Sequence, residues 1–67
     1  MTIRVKIVEN NMVVEFAEQE IIIAEILNRL GLSSSEHVVL KNGSITVEND
    51  VARDGDEIVL FTVKSGG

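Results

Sequence analysis

The residues with the greatest chemical reach are the last two. Lys64-Ser65-Gly66-Gly67 ends the chain directly behind an apolar run, Ile58-Val59-Leu60-Phe61-Thr62-Val63. A free α-carboxylate on an arm without side chains is the most exposed acyl group a polypeptide can offer. Glycine has no Cβ and tolerates almost any backbone angle, so Gly66-Gly67 can thread a narrow active site in extended form. The chemistry this suggests is activation of the chain's own C-terminus, with the protein as the substrate of other enzymes. Final residues are also those a fold most often leaves untied, so the reading depends on the strand and turn in front of the pair.

No side-chain constellation competes with it. A nucleophile and its base need hydrogen-bond proximity and an orienting third group. The single His37, with Ser33, Ser34, Ser35, Ser44 and Ser65, offers no such set and reads as an edge or loop residue. Asp54, Asp56 and Glu57 are too few for a calcium loop, which needs more ligands at fixed spacing, and read as a solvated turn. Gly43 and Gly55 do not lie in a Gly-rich run opening a helix, so no phosphate cradle is expected. The expectation is a protein that is not an enzyme, with no catalytic residue, no metal and no bound cofactor.

The elements that would position the terminus must come from a small chain. Sixty-seven residues make one domain, near the lower limit for folding without metals or disulfides. With no cysteine, neither a disulfide frame nor a thiolate zinc site is available. Stability falls to a core rich in Ile, Val and Leu, with Phe16 and Phe61 the two aromatic residues. Apolar runs at 21–24 and 58–61 are too short to span a membrane, and no signal-peptide pattern opens the chain. The expected compartment is the cytoplasm and the expected free state a monomer. Arg4, Lys6, Arg29, Lys41, Arg53 and Lys64 are scattered, and the net charge is −5. Nucleic acid is not an expected partner, because backbone binding needs a basic face. The acidic balance fits either steering toward a basic patch on a protein or ordinary solubility charge.

Residues 2–7 alternate polar and apolar, the period of a half-buried strand. Glu9-Asn10-Asn11 is a turn, and residues 12–17 resume with Val14 and Phe16 on one face and Val13 and Glu15 on the other. The two strands form a hairpin. Ile22, Ile23, Ile26, Leu27 and Leu30 then fall at helical spacing. Glu18 and Glu20 suit a helix N-terminus, and Gly31 suits a left-handed stop. The helix is expected to begin between Glu18 and Ile21. Ser33-Ser34-Ser35 is loop and residues 37–41 are a strand. Asn42-Gly43 is a tight hairpin turn, answered by a short strand at 44–47. Two polar breaks flank Val51-Ala52-Arg53, and the last strand covers 57–63. This order predicts an α+β fold, a β-grasp with a mixed sheet of four to five strands and one helix packed on one face. The domain is expected to span 1–63, with 64–67 as a flexible diglycine tail.

The last strand is apolar on both sides, and a single helix covers only one face of a sheet. If Ile58 and Leu60 point to the helix, Val59, Phe61 and Val63 face outward. With Lys64 and Ser65 they are expected to form a contiguous partner-docking face leading to the terminus; the alternative is that they pack under a loop or simply suit a strand, as scattered exposed apolar residues do.

The element order, the Asn42-Gly43 turn, the Asp54-Gly55-Asp56-Glu57 turn into an apolar strand and the closing Gly66-Gly67 resemble the ThiS/MoaD-type sulfur carriers. Archaeal small ubiquitin-like modifiers and the ubiquitin-related modifiers share this plan. The resemblance covers the whole chain and is most specific over 54–67. It implies that Gly67, with Gly66 beside it, is adenylated by an activating enzyme of the ubiquitin-activating type, which uses ATP. The acyl group then becomes a thiocarboxylate through a sulfur donor, for a downstream synthase making thiamin thiazole or molybdopterin or for tRNA thiolation. Alternatively it passes to lysines of target proteins. A non-covalent β-grasp binding module is the third reading. Lys64-Ser65 does not assign a subtype, and the Ile21-Ile22-Ile23 run departs from the usual helix start.

Overall fold

The computed structural model of the chain describes residues 1–63. Strands β1 (Ile3–Ile7) and β2 (Met12–Phe16) form the expected antiparallel hairpin, with Val5 opposite Val14. Asn11 closes its turn at φ 53°, a left-handed angle that asparagine accepts more readily than most residues. β3 (Glu20–Ile22) leads into helix α1 (Ile23–Leu30), and a 3-10 turn (Ser34–Glu36) precedes β4 (His37–Lys41). β5 (Ser44–Thr46), β6 (Val51–Arg53) and β7 (Glu57–Thr62) complete the order.

Five strands form a mixed sheet in the order β2-β1-β7-β4-β5, and β3 pairs with β6 in a small second sheet. β7 lies at the centre, parallel to β1 and antiparallel to β4. The helix covers one face of the sheet, as the β-grasp expectation requires. Ile3, Val5, Ile7, Ile58 and Leu60 meet Ile23, Ile26 and Leu27 of the helix in one core. Ile58 and Leu60 are fully buried, so the parity assumed for the last strand holds.

Three expectations need correction. The helix begins at Ile23, not between Glu18 and Ile21. Ile21 and Ile23 are buried while Ile22 is half exposed, an alternation that suits the β-branched side chains to a strand. That strand pairs with 51–53, the short segment between the two polar breaks, and Ile21 faces Ala52. The helix N-terminus is satisfied by the same neighbourhood: Ile23 and Ala24 donate their N–H groups to the carbonyls of Asp50 and Glu48. Glu18 and Glu20 accordingly do not serve the helix dipole. They face Arg29 at 3.0 Å and Arg53 at 3.7 Å. The other helix end matches its expectation, with Gly31 at φ 71°. Gly31 and Leu32 donate to the carbonyls of Asn28 and Leu27, closing a Schellman motif. Ser33-Ser34-Ser35, expected as loop, leads into a single 3-10 turn over Ser34–Glu36.

Candidate functional site

Gly66 and Gly67, with Lys64 and Ser65, lie outside the described residues. The structure specifies the root from which they leave. β7 is held on both sides, so its end is fixed relative to the whole sheet. Thr62 is opposite His37 in the β4–β7 register, and Val63 continues the ladder by donating its N–H to the Glu36 carbonyl at 2.8 Å.

His37 braces this root. Its side chain is only 6 % exposed. Nδ1 lies 2.8 Å from the Ser33 carbonyl and Nε2 lies 3.3 Å from the Glu9 carboxylate. The ring therefore ties the β1–β2 turn to the segment after the helix. The Ser33 and Ser35 hydroxyls bond each other at 2.8 Å rather than the imidazole. The Thr62 hydroxyl, buried beside this brace, has no hydrogen-bond partner among the described residues.

At the opposite end of β7, the acidic residues act as turn fasteners. Asp54 Oδ1 accepts from the Thr2 N–H at 2.7 Å. Asp56 accepts from the Asn42 side chain at 3.0 Å and from the Arg53 N–H at 2.8 Å. These bonds, with Asn42 leading, hold the Asp56 carboxyl below its ordinary pKa. Asn42 also accepts from the Glu57 N–H, joining the β4–β5 hairpin to the start of β7. Asn42 and Gly43 both have positive φ, at 51° and 86°, the geometry a two-residue hairpin turn demands. A third fastener links that hairpin to the loop before β6. Asp50 lies 2.8 Å from Lys41 Nζ and accepts from Thr46 and from its neighbour Val51. Its pKa falls to about 2, with Lys41 the largest cause.

The sheet face turned away from the helix is the remaining candidate surface. Val59 and Phe61 are partly buried and Val63 is half exposed. Cross-strand register brings more apolar side chains to this face than the last strand alone supplies. Val13, Lys6, Val59, Leu40 and Ile45 form one row across all five strands. Phe61 and Val38 form the next row toward the root of the tail. Ile45 is 77 % exposed, although an isoleucine in a strand ordinarily seeks cover. Sequence reasoning missed Val13, Val38, Leu40 and Ile45 as members of this face. The usable signal was in β4, where Val38, Val39 and Leu40 are apolar on both sides, as in β7.

The arrangement presents a strand end held from both sides and a broad apolar face beside it. The sequence pattern of the ThiS family matches residues 4–67. SAMP1 from Haloferax volcanii has a similar structure, with a TM-score of 0.72, 20% identity and full coverage of both chains. The thiamine biosynthesis protein ThiS from Geobacter metallireducens superposes with a TM-score of 0.67 and 17% identity, over 96% of this chain and 99% of its own.

Proposed function

This chain belongs to the ThiS family, and from that premise we propose that it is a sulfur carrier charged at its C-terminal Gly67. The observation that supports the reading most directly is the path of β7. This central strand is anchored by Ile58 and Leu60, is apolar on its other face, and is the last element before the diglycine in the sequence.

A carboxylate is a poor electrophile because its charge is shared between two oxygens. In the proposed reaction a Gly67 oxygen attacks the α-phosphate of ATP held by an activating enzyme, and pyrophosphate leaves. The resulting acyl-adenylate has a good leaving group. Hydrosulfide released by a sulfur donor then attacks the carbonyl; the C–S bond forms as the C–O bond to AMP breaks, AMP and a proton leave, and a thiocarboxylate remains. The chain itself supplies reach and access. A Cβ at Gly66 or Gly67 would crowd the approach to the carbonyl, and the apolar face, with Val59, Phe61, Val63, Lys64 and Ser65, docks the enzyme. ATP belongs to that enzyme, and the carrier is a monomer when free. Among the described residues no helix is long and apolar enough to cross a membrane, and we place the carrier in the cytoplasm.

The test is deletion of Gly66-Gly67, followed by circular dichroism and ATP–pyrophosphate exchange with the activating enzyme. The fold is expected to survive and exchange to vanish; retained exchange would end the proposal. Intact mass of protein purified from its native cell should show one carboxylate oxygen replaced by sulfur. Ladders of isopeptides from Gly67 to lysines of many proteins, with no thiocarboxylate, would replace the carrier with a protein modifier.

A further inference from the structure

The chain has eleven carboxylate side chains against six Lys and Arg, so every cation has carboxylates to choose from. Four of the five described cations have taken one. Arg4 faces Glu15, Arg29 faces Glu18 and Glu25, Lys41 faces Asp50 and Arg53 faces Glu20, all within 3.7 Å. Lys6 is the exception: it makes no ion pair or hydrogen bond with a described residue. Its position explains why. Register places it between Val13 and Val59 in the five-strand apolar row. The carboxylates of that face, Glu15 and Glu57, stand beside Arg4 one row away, roughly 7 Å along the strand.

An ammonium with no charge partner among the described residues, one strand in from the edge of an apolar row, is a poor solubility device, since an edge position would serve solvent as well without interrupting the row. It is a good specificity device. When a partner covers the face, Lys6 loses water and must regain a charge partner or weaken the complex. We propose that this face docks a partner surface that is apolar but carries one carboxylate opposite Lys6, and that this pair sets the register of docking. The inference rests on the carrier reading and takes the activating enzyme as the occupant. Overall charge argues in the same direction for specificity. A chain of net charge −5 draws basic surfaces generally, whereas a demand for one acid at one point excludes most of them.

The experiment is calorimetric titration of the full chain into the activating enzyme, with wild type, Lys6→Arg, Lys6→Gln and Lys6→Glu. Lys6 is exposed, so all four should melt alike. Arg should bind as wild type, Gln more weakly, and Glu at least about tenfold more weakly, because like charge would face the partner's acid. The gap between wild type and Gln should narrow as salt rises, which a purely steric role would not produce. Replacing the enzyme's facing carboxylate by lysine should restore binding of Lys6→Glu. Equal affinity of wild type and Lys6→Glu overturns the inference while leaving Gly67-dependent ATP–pyrophosphate exchange intact. Absence of that exchange in wild type overturns the carrier reading and the inference together. Sedimentation showing wild type dimerising through this face would also overturn it.

Discussion

Leu60→Ala and Phe61→Ala change adjacent residues of one strand and should damage different properties. Leu60 is fully buried at the centre of the sheet. Removing a buried leucine side chain costs about 2–5 kcal/mol, from lost burial and the cavity left behind. A domain of this size holds roughly 3–10 kcal/mol in total, so Leu60→Ala should leave it marginal. Each kcal/mol moves Tm by about 4–8 °C in a small domain, and a fall of roughly 10–30 °C follows. Phe61 is only partly buried and faces away from the helix, across from Val38. Its loss from the free protein should cost about 1 kcal/mol, since part of the ring is already in water. At a docked interface the same ring contributes about 1.5–3 kcal/mol, which is roughly a 10- to 150-fold change in Kd. The assay pairs thermal melts of both variants with calorimetric titration of Phe61→Ala into the activating enzyme. A Tm loss for Phe61→Ala as large as that for Leu60→Ala would refute the assignment of faces. An unchanged Kd with an unchanged melt would refute the docking role.

Two further outcomes test the fold. Asp50 has a folded pKa of about 2 against an ordinary 3.8, so its ionised form is favoured by folding. The stability it adds should be complete above pH 3.8 and lost as pH falls through about 2. Chemical denaturation from neutral pH downward should therefore show wild type ahead of Asp50→Asn at neutral pH, with the gap closing in acid. In the second test, Ile21→Ala should cost about 2–4 kcal/mol and Ile22→Ala under about 1 kcal/mol, because Ile21 is 7 % exposed and Ile22 50 %. Equal costs in urea denaturation would contradict the strand assigned to β3.

Local chemistry was legible wherever it acts within a few residues. Alternation in residues 2–7 and 12–17 specifies the inner and outer faces of the hairpin, because a strand's side chains alternate whatever lies beyond it. Asn42-Gly43 and Gly31 announced a turn and a helix end through the positive φ that their types permit. The helix start misled for a comparable reason. Ile22, Ile23, Ile26 and Leu27 satisfy helical spacing, yet Ile21-Ile22-Ile23 also satisfies strand alternation, and short apolar runs do not separate the two.

What broke that tie was a partner about thirty residues away. Pairing with Val51–Arg53 makes residues 20–22 a strand, and the carbonyls of Glu48 and Asp50 set the first turn of the helix. The composition of residues 18–30 carries no record of either contact. The candidate docking surface divides in the same way. The parity of β7 and the apolar character of Val59, Phe61 and Val63 were readable along the chain. The row through Val13, Lys6, Val59, Leu40 and Ile45 exists only because five strands align in one register. The sequence alone determined which residues each strand turns inward, since that depends on a period of two. Only the tertiary structure decided which side chains meet across strands and which cation among the described residues is left unpaired, since pairing depends on register between segments far apart in the chain.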